Sequence, residues 1–401
     1  MKTWHIVTCE YPPQVGGVSD YTQLLAQQLV KAGDGVHVWA PSYAEETSEA
    51  TDPKVHVHRT LGDFSKNYLL ETEERIRQTD KHRPRAILVQ WVPHGFGKRA
   101  MNLGFCHWLE GLAKSGDRIE LMVHEPYLES GQGTWKQRLV AMVQRRMIRM
   151  ALEAAERVYM SIPAWEGYLR PYAPSDRAME WLPIPATVPV MDDARAISIV
   201  RRRIGEKKLI LGHLGTYSPA ITITLGPAIA AILRNVPNAH SLLLGKGSEN
   251  FAESVSTGAP EIAARVHAAG FLSNEKLSHH LSACDLMLQP YPDGLSSRRT
   301  SLMNALAHGV AVVSNPGHLT EEIWEDGQSV ALAETGTAPD LTKPCEQLLH
   351  NDATRKSLAT AGTELYKARF DWPNVIQTLR SSPERLSMAV QSSNYLGNKP
   401  R

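Results

Sequence analysis

Asp293-Gly-Leu-Ser-Ser-Arg-Arg-Thr-Ser-Leu-Met-Asn-Ala-Leu-Ala-His-Gly-Val-Ala-Val-Val313 reads as a polar loop, a helix that stops at a glycine, and a buried strand. Ser296, Ser297 and Thr300 are expected to cap the helix start. Leu302, Met303, Leu306 and Ala307 recur at helical spacing and predict a buried face. Gly309 fits the C-terminal end. The helix start would present backbone N–H groups beside Arg298 and Arg299, an arrangement suited to an anion and first of all to a phosphate.

Strand, glycine-bearing turn and helix alternate in both directions from this stretch, the pattern of an α/β chain with parallel sheets. Trp4–Cys9 is a strand, Gly16 and Gly17 lie in the turn after it, and a helix follows from about Ser19 to Ala32. The glycine pair is not a dinucleotide fingerprint, but it permits close approach of a ligand to the backbone. Ala86–Gln90 and Ile119–Val123 are further strands, and the second ends in His124-Glu125-Pro126. In open parallel sheets ligands lie beyond the carboxyl ends of strands, which places His124 and Glu125 where acid–base chemistry is done. Past a proline-spaced stretch, Pro183–Pro189, the alternation restarts. Leu209–Leu214 is a strand before the turn at Gly215 and Thr216. His240–Leu244 runs into Gly245-Lys246-Gly247, and Asp285–Gln289 leads into the opening stretch. Helices are also expected at Ile223–Arg234, capped by Ser273 at 273–283, near Thr320–Glu325, and from about Asp340 to 391. His279 and His280 are expected on a solvated helix face.

The expected fold is thus two doubly wound, Rossmann-like domains facing a cleft, with Lys246, Arg298 and Arg299 giving its C-terminal wall positive charge. At 401 residues with 42% hydrophobic and 21% charged content, two domains of ordinary globular composition are expected. A formal charge of +1 gives no overall attraction to nucleic acid. Cys9, Cys106, Cys284 and Cys345 form no CxxC pair and read as buried thiols. No DxD-type or His/Cys ligand cluster suggests a metal. Residues 135–157 form a basic amphipathic helix, with Lys136, Arg138, Arg145, Arg146 and Arg149 interleaved with apolar residues. Docking on an anionic membrane surface is one expectation for it, and a solvated surface helix is the other.

Several segments together resemble the GT-B glycosyltransferases of the family 4 type, retaining enzymes that use a nucleotide sugar. They are Pro12-Pro-Gln-Val-Gly-Gly-Val18, His124-Glu125-Pro126, Leu243-Leu-Gly-Lys-Gly247, Gly270-Phe-Leu-Ser-Asn-Glu-Lys-Leu277, Ala283-Cys-Asp-Leu-Met-Leu-Gln-Pro290, Leu302–Val313 and Phe370-Asp371-Trp372. The resemblance implies an N-terminal acceptor-side domain over 1–185, a linker over 186–206, a nucleotide-sugar domain over 207–370, and a terminal helix crossing back within 371–401. It implies that Gly16 and Gly17 approach the donor phosphates or the acceptor, and that His124 sits by the transferred sugar, with Glu125 orienting. The backbone at Phe271 and Leu272 would meet the base. Ser296, Ser297, Arg298, Arg299 and Thr300 would hold the pyrophosphate. Where the family has two glutamates eight positions apart, this chain has Ser296 and Asn304. Where the family has an arginine after the glycine of the first C-domain turn and a lysine six residues on, it has Thr216, after Gly215, and Thr222. Arg298 and Arg299 are the expected replacement for the lost positive charge.

The function so implied is transfer of a hexosyl group from a nucleotide-diphosphate sugar to a glycan, lipid-linked or small-molecule acceptor, with retention. No metal or cofactor beyond the donor is expected, and a cytoplasmic location is, with the membrane contact through 135–157 peripheral. The alternatives are a nucleotide-sugar epimerase of the same architecture, which would need acids for proton abstraction, and a non-catalytic sugar- or partner-binding module.

Overall fold

The computed structural model describes residues 1–42, 54–97, 100–128 and 134–381. Within them lie thirteen strands in two sheets. The first sheet has β1 (Thr3–Val7), β2 (Gly35–Trp39), β3 (Val55–His58), β4 (Ala86–Trp91), β5 (Arg118–Val123), β6 (Arg157–Met160) and β7 (Met179–Trp181), in the order β3-β2-β1-β4-β5-β6-β7. The second has β8 (Leu209–Leu214), β9 (Ala239–Leu244), β10 (Val266–Ala268), β11 (Leu286–Leu288), β12 (Ala311–Ser314) and β13 (Ala331–Leu332), in the order β10-β9-β8-β11-β12-β13. β1 pairs in parallel with β2 and β4, and every neighbouring pair of the second sheet is parallel. Strand order reverses at β1/β4 and again at β8/β11, and at such a reversal adjacent loops diverge and leave a crevice at the carboxyl ends.

Strands buried on both faces favour apolar runs, and β4 and β9 are buried at every position, apolar but for Gln90 in the first and His240 and Ser241 in the second. The helices are α1 (Gly17–Lys31), α2 (Lys66–Thr79), α3 (Leu103–Lys114), α4 (Trp135–Ala154), α5 (Trp165–Leu169), α6 (Ala194–Ile204), α7 (Pro219–Asn235), α8 (Ser248–Gly258), α9 (Asn274–Ser282), α10 (Thr300–Ala307), α11 (Ala338–His350), α12 (Asp352–Leu365) and α13 (Trp372–Arg380). Two apolar clusters fill the two faces of the second sheet; Leu225, Ile229 and Leu243 belong to one, and Leu302, Met303 and Leu306 to the other. Each of the last three, fully buried, contributes about 2 kcal/mol.

The chain divides into two compact units, one of residues 1–122, 127–158 and 371 onward, the other of residues 123–126 and 159–370. α13 packs within the first. Its Trp372 ring stacks on Tyr21 at 5.6 Å, and Arg380 Nε lies 3.2 Å from Asp34 Oδ2. Arg157 Nη1 donates to the Ser381 carbonyl at 2.9 Å.

Several local expectations are corrected. Residues 320–325 form turns, because Glu321 is drawn inward, and no helix forms there. The span 186–206 carries α6, and α8 follows the glycine turn at 245–247. The helix expected from Asp340 starts at Ala338, is broken at Asn351, passes into a π-helical turn at Tyr366–Phe370 and is broken again at Asp371; its part beyond 381 lies outside the described residues. His279 is buried, because α9 turns it toward the sheet rather than to solvent. The four cysteines are buried and free.

Candidate active site

The second unit gathers most of the expected residues at the carboxyl ends of its strands. Gly215 and Thr216 follow β8, Lys246 follows β9, Phe271 and Leu272 follow β10, and the loop 290–299 follows β11. Gly215 N–H donates to the Leu244 carbonyl at 3.1 Å, which holds its turn against the end of β9. Thr216, Lys246 and Phe271 are exposed, while Leu272 packs on the apolar cluster.

The loop 290–299 is built around two anchors. Asn315 receives the Tyr291 N–H on its Oδ1 at 2.9 Å and donates from Nδ2 to the Tyr291 carbonyl at 2.9 Å. Gly294, at φ 88°, lies against the chain at 317–320; a Cβ there would stand 2.3 Å from Gly317 N, so only glycine closes this turn. The second anchor is Glu321, buried to 8% exposure. Its carboxylate accepts from Ser297 N at 2.8 Å, from Trp324 Nε1 at 2.7 Å, and from Ser297 Oγ in a very short bond. Burial pushes this carboxyl above its ordinary range, and those donors oppose the shift.

The expected caps do not form. The residue before α10 is Arg299, with no side-chain cap, because the Ser297 hydroxyl is taken by Glu321. Thr300 is the first helical residue. Gly309, at φ 70°, does end the helix, with its N–H on the Leu306 carbonyl at 3.1 Å.

Both arginines are engaged by carboxylates. Asp293 binds Arg298 with one oxygen and Arg299 with the other, each in a very short contact, and Glu125 Oε1 lies 3.4 Å from Arg298 Nη1. Burial pushes the Asp293 carboxyl up, but the two guanidiniums outweigh it and the group ends below its ordinary range. The rings of Trp165 and Tyr291 face Arg298 and Arg299 at 5.6 and 4.9 Å. Two polar features of the loop stay unsatisfied among the described residues: the fully buried Ser296 Oγ, and the Nε of each arginine.

Asn304 faces another way. Its Oδ1 accepts from Thr187 N at 2.9 Å and Val188 N at 3.0 Å, so it fastens the 186–188 segment to α10. His124 is half-buried, and its carbonyl accepts from Ser161 Oγ and Trp165 Nε1, both at 2.9 Å. Burial pushes its imidazole down to about 3, so the ring is neutral near pH 7. Gly16 and Gly17 belong to the first unit. The face that Gly16 leaves open is filled by Glu10, whose carboxylate would meet a Cβ at 2.2 Å and whose Oε1 receives the N–H groups of Val18 and Ser19 at 2.9 and 3.0 Å. This N-terminus of α1 thus carries a carboxylate of its own.

His213, on β8 ahead of the Gly215 turn, was not anticipated. Its Nδ1 lies 2.8 Å from the Leu288 carbonyl, which can only accept, so Nδ1 carries the proton and Nε2 is a lone pair. Nε2 is buried without a partner among the described residues. Burial pushes His213 down to about 4, and burial with a nearby His37 does the same to His5. Both are essentially sealed from solvent. Their ordinary value in the unfolded chain is near 6.5, so on acidification the unfolded chain takes up protons first. Stability is full above pH 6.5 and falls as pH drops toward 4, by about 2 kcal/mol for each histidine at pH 5. Urea titrations at pH 7 and pH 5 should show that loss, and asparagine at either position should reduce the difference.

Among the described residues no three His, Cys, Asp or Glu side chains converge as metal ligands would. No helix there is long and apolar enough to cross a membrane.

Comparison with known proteins gives a consistent family. Residues 16–185 match the model for a glycosyl transferase 4-like domain, and residues 209–351 match the model for glycosyl transferases group 1. No curated protein sequence matches the chain. Among solved structures, the sucrose-phosphate synthase of Thermosynechococcus elongatus superposes with a TM-score of 0.70 at 15% identity, over 98% of this chain and 100% of that one. HepE of Anabaena, in complex with UDP and glucose, gives 0.67 at 14% identity, over 97% and 100%. WaaG, a glycosyltransferase involved in lipopolysaccharide biosynthesis, gives 0.64 at 13% identity, over 94% and 98%.

Proposed function

The chain belongs to the GT-B glycosyltransferases, and from that premise we propose that it moves a hexosyl group from a nucleoside-diphosphate sugar to a hydroxyl of a glycan, lipid-linked or small-molecule acceptor, with retention. The observation that carries the donor reading is the loop after β11. A sealed Ser296 hydroxyl without a protein partner stands in the same loop as two arginines whose Nε groups also lack one. The two guanidiniums keep 17% and 26% of their side chains exposed, and phosphate oxygens of a donor can accept from them there, while Ser296 would pair only after the loop opens. That HepE is described with UDP and glucose supports the same donor class.

In this reading the anomeric carbon–oxygen bond to the diphosphate breaks as the acceptor oxygen bonds to that carbon from the same face. The acceptor proton passes to the departing phosphate oxygen. Arg298 and Arg299 stabilise the leaving charge in a transition state of oxocarbenium character. His124, neutral at working pH, serves as a hydrogen-bonding partner for the sugar rather than as an acid. Glu125 orients through Arg298.

The experiment is nucleotide release from a panel of UDP-, GDP- and ADP-sugars, with and without acceptor, with products followed by mass spectrometry. Release that requires an acceptor, together with a glycosylated product of retained configuration, is expected. An interconverted sugar nucleotide, or binding without turnover across the panel, would replace the transferase reading by the epimerase or the binding module.

We also propose that the acceptor is met at an anionic membrane surface. α4 exposes Trp135, Leu139 and Met142 at 71%, 43% and 60%, a stripe at helical spacing. Lys136, Arg138, Arg146 and Arg149 are exposed beside it. Sedimentation with phosphatidylglycerol vesicles is expected, and Arg138→Glu with Arg146→Glu should weaken it by about tenfold or more. Sedimentation that ignores these reversals would remove the membrane from the proposal.

A further inference from the structure

The second unit has a cavity of about 530 Å³ between α6, α9 and the edge of its sheet. Its floor is aliphatic, made by Val200 and Ile204 of α6, Leu242 of β9 and Leu272. Arg203, Lys276, His267, His279 and His280 complete it, and no carboxylate lines it. Arg203 and Lys276 are exposed and form no ion pair among the described residues. Burial lowers the His280 pKa, its 2.6 Å hydrogen bond to the Lys276 carbonyl opposes that, and the nearby Arg203 and Lys276 push it further down. Arg203 and Lys276 are the permanent cations of the lining, with no carboxylate beside them in it, and their like charges cost least when an anion lies between them.

The position differs from that of the donor loop. His267 is in the middle of the short strand β10, and Arg203 lies in the last turn of α6, which leads into the amino end of β8. The glycine turns and the loop 290–299 lie at the carboxyl ends, and of the expected donor residues only Leu272, just past β10, also lines this cavity. The volume is in the range of small-molecule sites, and an apolar floor with a few charged groups is their usual chemistry.

We propose that this cavity binds an amphiphilic anion with a single aliphatic chain. The chain lies on Val200, Ile204, Leu242 and Leu272, and the anionic head meets Arg203 and Lys276. An aliphatic floor disfavours a sugar or a nucleotide, whose hydroxyls would find no partners there. The absence of carboxylates from the lining disfavours a cationic head. This site does not rest on the donor reading.

The test is isothermal titration of the full chain with decanoate, using decyltrimethylammonium as the chain-matched cation. Decanoate is expected to bind and the cation is not. Arg203→Glu with Lys276→Glu should weaken decanoate binding by about tenfold or more. Ile199→Glu, at an exposed position of the cavity wall, should weaken it as well and gives an independent variant. Thermal melts of each variant check that the fold is retained. No decanoate binding, equal binding of both amphiphiles, or affinity unchanged in both folded variants would each overturn the proposal.

Discussion

Glu321→Ala is expected to lower the free energy of unfolding by about 4 kcal/mol and to abolish sugar transfer. The carboxylate receives three donors: the Ser297 N–H, the Ser297 hydroxyl and the Trp324 indole N–H. Removing it leaves all three without an acceptor in a site with almost no access to water. Each orphaned donor costs about 1–3 kcal/mol, partly relieved by local rearrangement. The loss falls on the segment that positions Ser296 and Arg298, so activity should fall further than stability alone accounts for. Glu321→Gln keeps one acceptor oxygen but turns an NH₂ group toward donors, and an intermediate loss is expected. Urea denaturation and a transfer assay on the folded fraction separate the two effects. An alanine variant as stable as the parent would mean that the loop is held by Asn315 alone.

Arg298→Ala is expected to reduce kcat by about a hundredfold, the scale on which removing a preorganised charge from a leaving-group site acts. Affinity for a nucleoside diphosphate should fall by about tenfold. Asp293 makes the prediction sharper. Two guanidiniums face two carboxylates, Asp293 and Glu125, so the cluster is formally balanced. A diphosphate must share or displace the Asp293 contacts to reach the arginines. Asp293→Asn should therefore bind UDP more tightly than the parent, by about tenfold, while its melting temperature drops. Opposite shifts in affinity for the two variants are the expected signature. UDP affinity that is the same in Arg298→Ala as in the parent would sink the clamp.

Much of this was legible in the chain because local rules and tertiary packing agree. The apolar strand runs, the glycine turns after β8 and β9 and the stop at Gly309 all come from short-range chemistry. What was illegible depends on contacts between distant positions. Glu321 lies in a stretch that reads as helical, and only the fold brings it to Ser297. Asn304 could be placed on α10 but not its partners, the backbone amides of Thr187 and Val188. α8 was missed because only Phe251 and Val255 among its apolar residues are buried, too few to set a period. α6 was hidden by its arginines, with Val200 alone fully buried. Asp293 was in view from the start, yet a charge in a loop does not announce which cation it holds.

The placement of α13 bears on how the protein is made. The first unit is completed by a segment that leaves the ribosome only after residues 159–370 have done so. Until then Tyr21 lacks the ring that covers it, and Asp34 lacks its Arg380 partner. The later-synthesised unit is contiguous apart from residues 123–126, and can mature first. The first unit thus waits, with Tyr21 and Asp34 incompletely covered, through the synthesis of the second.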